Sequence, residues 1–179
     1  MKNLTYYFVF ILLIALSSCN QNDTEIEESL ITGFYKIETM SSDKLVDLNG
    51  DTQKSYDLKS EINDYFNDLA YDLEIRPNYT NDTKTKLISL YFPEPYLTYE
   101  YPSHPNGFVE YGKSGVGFTY EFKDNRFLLD GSNNEFVSID KIELLENGKI
   151  SSIISKDYYD FSTQNWTNLK IEIMYSKME

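Results

Sequence analysis

From residue 33 to the C-terminus, apolar positions recur mostly at every second residue, the period of a strand with one face in a core. The clearest case is 116–123, where Val116, Phe118, Tyr120 and Phe122 share one face and Gly117, Thr119, Glu121 and Lys123 the other. Residues 33–40, 71–76, 96–101 and 169–176 alternate in the same way. The run 87–92 is apolar but for Ser89 and stops at Pro93 and Pro95, and Pro102 cuts 96–101, because proline cannot donate to a ladder. Shorter runs at 127–129, 136–139, 141–145 and 149–156 are separated by polar turns. Among these turns, Asn147-Gly148 between apolar runs is a hairpin signal. Residues 41–55 and 77–84 read as loops, and 160–168 as a polar connection carrying Trp166. One segment departs from the period of two. In 57–67 and just beyond, Leu58, Ile62, Tyr65, Phe66 and Leu69 are spaced by three and four. This predicts a helix of about three turns, capped by Asp57, with Glu61 favourably near its positive end. The pattern predicts an all-β chain, an antiparallel barrel or sandwich of about eight to ten strands with one short helix.

The N-terminus follows other rules. After Lys2, residues 6–16 are unbroken apolar, about half the ~20 residues a membrane-spanning helix needs and the length of a secretory h-region. The run closes on Leu16-Ser17-Ser18-Cys19, which resembles a bacterial lipobox: a branched apolar residue, two small residues that let the chain enter a peptidase extended, and a cysteine whose thiol takes diacylglycerol. The resemblance implies a signal peptide at 1–18 and Cys19 as the lipidated first residue of the mature chain, acylated with palmitate-type chains. Residues 19–30 then form the lipidated cysteine and an acidic tether, and 31–179 a single domain. The acids after Cys19 are similar to a surface-export signal, and a plain solvated linker accounts for them equally. The expected address is the cell envelope, lipid-anchored to the outer membrane on its periplasmic or surface-exposed face.

Cys19 is the only cysteine, so no disulfide can staple the domain and its stability must come from the core. Without residues 1–18, 15 basic and 29 acidic side chains remain, a balance of −14. Such a domain repels phosphate backbones, which sets nucleic acid aside as a partner. The 16 Tyr, 11 Phe and 1 Trp strengthen the β assignment, since aromatic residues favour strands.

Four features together resemble bacterial lipoproteins with lipocalin-like domains: the lipobox, the first strand Gly33-x-Tyr35-Lys36-Ile37, the loop Val46-Asp-Leu-Asn-Gly-Asp51, and Tyr159-Asp-Phe-Ser-Thr-Gln-Asn-Trp166 before a last alternating strand. Lipocalins carry Gly-x-Trp at the first strand; here Tyr35 stands at the Trp position. The resemblance implies a closed barrel with an internal cavity, and brings no assigned activity.

Three constellations bear on chemistry. Asp47-x-Asn49-x-Asp51 places oxygen side chains at alternate positions, as the start of an EF-hand loop does. The sixth position is Thr52 rather than Gly and the twelfth is Leu58 rather than Glu. A calcium ion there would need Asp57 or Glu61 as its bidentate ligand, and the bland alternative is an Asn-Gly turn with solvated acids. His104 is the only histidine, so no His-rich metal site or Cys-His pair can form, and no Gly-x-Ser-x-Gly elbow supports a triad. Glu94, Glu100, Glu110 and Glu121 are the acids from which a glycosidase pair would be drawn. Among the aromatics near loops and strand ends, Tyr99, Tyr101, Tyr120 and Trp166 are the candidate ligand contacts. The expected function is a non-enzymatic, membrane-anchored module binding a small amphipathic or carbohydrate ligand. The alternative is an interaction lipoprotein presenting loops to an envelope protein, and a hydrolase is the third reading.

Overall fold

The computed structural model describes residues 30–67, 70–77, 86–98, 108–133 and 135–179. The expected signal peptide, Cys19 and the expected acidic tether as far as residue 29 lie outside the described residues. Gly33–Glu179 forms one compact unit.

Among the described residues nine strands run antiparallel: β1 (Gly33–Val46), β2 (Ser55–Asp57), β3 (Leu73–Arg76), β4 (Leu87–Thr98), β5 (Phe108–Lys123), β6 (Arg126–Leu129), β7 (Ser138–Leu144), β8 (Ile150–Asp160) and β9 (Asn165–Lys177). Neighbours in sequence pair from β3 to β9, β3 also pairs with β1, and β9 closes back on β1. The result is an eight-stranded up-and-down barrel, with β2 as an extra strand along the second half of β1. Closure removes the open edges that make antiparallel sheets prone to aggregation. Of the barrel and sandwich alternatives, the barrel is the one formed.

Two bulges set which residues point inward. In β1 the register against β9 shifts at Glu38, so Ile37 faces Tyr175 and Met40 faces Ile173. In β7 it shifts at Asp140, so Ile139 faces Ile154 and Ile142 faces Ser152. An inserted residue of this kind turns a spacing of two into three without leaving the sheet. The rows Ile37–Tyr175–Ile150 and Tyr35–Leu73–Leu90 illustrate the core. Leu73, Ile88, Ile150, Ile171 and Ile173 have no exposed surface, each burial contributing about 1.5–3 kcal/mol. A side chain bordering a water-sized void keeps accessible area, so these five side chains border no such void.

Three elements differ from the sequence reading. The expected three-turn helix is a single α turn, α1 (Leu58–Glu61), followed by a 3-10 turn at Asn63–Asn67. Asp57 does cap it, accepting the Lys59 N–H at 3.0 Å. The expected loop 41–55 is strand at both ends, since β1 continues to Val46 and β2 begins at Ser55 and pairs with β1. The third difference is β4, which runs straight through Pro93 and Pro95. Tyr120 N–H donates to Lys86 O at 3.2 Å and Tyr91 N–H to Asp72 O at 2.7 Å. Odd-numbered residues of β4 therefore turn their nitrogens away from β5, towards an edge that no strand among the described residues covers past Asp72. There a missing N–H removes nothing.

Two hairpin turns form where the chain demands positive φ. Asp124 and Asn125 have φ of 51° and 60° between β5 and β6, a two-residue connection with the backbone sign of a type I′ turn. At the β7–β8 turn Gly148 takes φ 77°, and Leu145 N–H donates to Lys149 O at 2.8 Å.

Candidate functional site

The β6–β7 seam is short: the ladder holds only Arg126 opposite Glu143, extended by Leu144 N–H to Asn125 O at 2.8 Å. The loop from Asp130 to Val137 follows, and β8 runs on beyond Ser155, the last residue that β7 pairs. At this step lies a cleft of about 390 Å³, bordered by Glu94, Glu135, Phe136, Lys156, Asp157, Trp166 and Asn168 among others.

Lys156 builds its inner wall. Its side chain is only 4% exposed, on the strand face that otherwise carries Ile150, Ile154 and Tyr158. Its Nζ donates to Glu94 Oε2 at 2.6 Å and to Phe136 O at 3.3 Å, and stands 5.1 Å from the Phe92 ring centroid. The carbonyl bond ties the loop to the barrel. The mouth is aromatic: Trp166 is 49% and Phe136 53% exposed. Trp166 packs edge-on against Tyr159 across the β8–β9 pair, with centroids 5.9 Å apart. Beside it Asn168 Nδ2 donates to Asp157 Oδ1 at 2.7 Å. Half-exposed rings edged by carboxylates and an amide offer stacking surface and acceptors for hydroxyl groups at one place.

Of the other expected ligand contacts, Tyr120 is 6% exposed and packs on Phe127 at 5.2 Å. It is a core residue for the reason its alternation gave. Tyr99 and Tyr101 lie outside the described residues, as do His104 and Glu100. Glu94 faces an ammonium rather than a second acid, and Glu110 and Glu121 are exposed along β5.

The acids of the expected calcium loop accept backbone N–H groups. Asp47 accepts the N–H groups of Gly50 at 2.7 Å and Thr52 at 3.0 Å, holding Thr52 at a φ of 73° that a β-branched residue rarely adopts. Asn49 and Asp51 accept from Asp51 and Gln53, each two residues on, and Asp57 caps α1. Glu61, 6% exposed, accepts the Leu48 N–H at 2.9 Å. Burial pushes its pKa up, the nearby Asp47 and Asp51 charges add to this, and the backbone hydrogen bonds oppose it. Short polar side chains bonding the next turn of their own backbone are the usual loop builders. Among the described residues no three His, Cys, Asp or Glu side chains gather as a metal would require.

This loop is latched to the barrel. Asp160, at the end of β8, accepts Asp47 N–H at 3.2 Å, Ser162 N–H at 2.9 Å and Ser162 Oγ–H at 2.7 Å. Tyr111 donates its hydroxyl to Leu48 O at 3.0 Å. Burial works against the Asp160 charge, but the Ser162, Asp47 and Thr163 hydrogen bonds outweigh it and lower the pKa.

Apart from Glu94, the cleft residues around Trp166 were absent from the sequence reading, although Lys156 carried a signal. It is an ionic residue between the inward positions Ile154 and Tyr158, which requires a partner. Compared with family models, curated proteins and solved structures, the chain finds no match.

Proposed function

We propose that the chain is a membrane-anchored envelope lipoprotein with a lipocalin-like barrel that binds a small amphipathic or carbohydrate ligand without transforming it. One observation carries this reading: two half-exposed rings, Trp166 and Phe136, flank a cleft whose rim bears Glu135, Asp157 and Asn168. An apolar face edged by acceptors suits a sugar ring, whose C–H face stacks while its hydroxyls bond outward. The fully buried side chains Leu73, Ile88, Ile150, Ile171 and Ile173 favour this cleft over the interior as the place of the ligand. The up-and-down strand order supports the lipocalin-like reading, and the apolar run ending in Cys19 supports the anchor.

Two measurements test it. Native mass spectrometry of the chain purified in detergent from its producing cells should show a co-purifying small molecule that is lost in Trp166→Ala, with thermal stability unchanged. Labelled palmitate should be incorporated and should disappear in Cys19→Ser. A bare mass together with a protein cross-linked through Phe136 or Trp166 would replace the ligand reading with the interaction lipoprotein.

A further inference from the structure

A second cleft, about 280 Å³, lies where the segment after α1 meets β1 and β5; Lys36, Lys59, Lys113, Asp64, Asp72 and Phe66 are among its walls. Among the described residues that line it, three lysines and two aspartates carry a formal charge of +1, on a chain whose net charge is −13.

Lys59 and Lys113 are positioned more than they are neutralised. Lys59 Nζ donates to the carbonyls of Ile37 and Glu38, both at 3.1 Å. The Glu38 carboxylate is turned to Lys149, 2.7 Å away. An ammonium has three donors, so Lys59 keeps one after fixing its geometry on uncharged oxygens. Lys113 donates to Tyr71 O, and its nearest carboxylate is Asp72 at 3.8 Å. Asp72 is committed elsewhere as well, accepting Ile37 N–H at 3.0 Å and the Tyr65 hydroxyl at 3.2 Å. Phe66 brings a ring to the same wall, its centroid 5.1 Å from Lys59 Nζ. Fixed cations beside an aromatic face, with the acid Asp64 on the rim, combine three contacts. The lysines attract a carboxylate, the ring covers an apolar face, and Asp64 accepts hydroxyls. Ordering lysines on backbone carbonyls beforehand lowers the entropy lost on binding.

We propose that this cleft is a binding site for the carboxylate of a small hydroxylated acid, with an acidic monosaccharide as the class it fits. The site is separate from the Trp166 cleft and stands or falls independently of it.

The test is calorimetric titration of the full chain, in a non-ionic detergent without a sugar head, with glucuronate, glucose and inorganic phosphate. Glucuronate should bind saturably and more weakly as salt rises, with glucose at least tenfold weaker. Lys59→Gln and Lys36→Gln should each weaken glucuronate binding by about threefold to tenfold while the thermal transition stays in place. Trp166→Ala should leave it unchanged, which separates this site from the other cleft. Absence of glucuronate binding, equal binding of glucose, or indifference to both lysine substitutions would overturn the proposal. Phosphate binding as tight as glucuronate would overturn the sugar-acid assignment and leave an adventitious ion site only.

Discussion

Lys156 Nζ and Glu94 Oε2 lie 2.6 Å apart and join β8 to β4, two strands that do not pair with each other in the barrel. The two partners differ in burial, with the lysine side chain 4% and the glutamate 23% exposed. That asymmetry sets the order of the mutants. Glu94→Gln leaves a buried ammonium without its counter-charge and should cost about 3–5 kcal/mol. Lys156→Met leaves a carboxylate that can still reach water, and should cost clearly less. Urea unfolding of both variants tests the order; equal losses would mean that the pair is wetter than its geometry implies.

The latch at Asp160 should dominate the stability of the loop end. Asp160→Asn puts an amide group among N–H and O–H donors, and losing hydrogen bonds of a buried charged acceptor costs about 1–3 kcal/mol. The folded-state pKa is depressed, so the stabilisation of the wild type is present above the ordinary carboxylate pKa of 3.8 and is lost as pH falls through the lower folded value. Denaturation of the two proteins at a series of pH values should show the gap narrowing on acidification. A gap that persists in acid would place the effect of Asp160 outside its charge.

Glu61 has the opposite sign. Its folded pKa is raised above 4.5, so its favourable contribution is complete below that value and is lost as pH rises through the folded pKa. Glu61→Gln keeps an acceptor for Leu48 N–H and removes the ionisation. The variant should therefore gain on the wild type as pH rises from acid to neutral. A difference independent of pH would show that Glu61 ionises in the fold as easily as out of it.

How much of this was legible can be argued residue by residue. The strand faces were, because alternation such as Phe118–Tyr120–Phe122 reflects direct burial. The Asn147-Gly148 turn was legible because positive φ selects its residues. Passage of β4 through Pro93 and Pro95 was not, since it depends on which edge lacks a partner, a property of the assembled sheet. The helix at 57–67 was overread because packing of a short crossover also leaves apolar spacings of three and four. In the 47–51 loop, acidic spacing alone does not distinguish oxygens aimed at an ion from oxygens aimed at N–H groups. Trp166 was legible as an exposed aromatic, whereas the Phe136 and Lys156 that complete its cleft are brought there by the end of β7.

Two glycines of β5 should respond unequally to alanine. A Cβ at Gly115 would lie 2.6 Å from Tyr91 Cδ1 and Cε1, and one at Gly112 would lie 2.6 Å from Tyr96 Cε2. Tyr91 is hemmed in by Tyr71, with centroids 5.4 Å apart, and by Lys113 Nζ at 5.1 Å. Tyr96 is 56% exposed and free to swing. Gly115→Ala should therefore cost about 1–3 kcal/mol, as overpacking does, and Gly112→Ala less. Thermal melts of the pair decide it, and equal melts would mean that Tyr91 yields as readily as Tyr96.

Alkali should find the barrel through its buried tyrosines. Burial pushes Tyr35 from 10.0 to about 12, and burial is also the leading cause that raises Tyr111, Tyr158 and Tyr175. The unfolded chain ionises these hydroxyls near 10.0 while the folded one keeps them neutral. Their contribution is thus whole below 10.0 and falls as pH rises towards the folded value of about 12 for Tyr35. A tyrosinate absorbance titration should show the buried set ionising together with loss of the far-UV β signal. Tyr35→Phe should move that cooperative step to higher pH, because one of the groups driving it is gone. A single smooth titration with the β signal intact would mean that these rings reach solvent in the folded barrel.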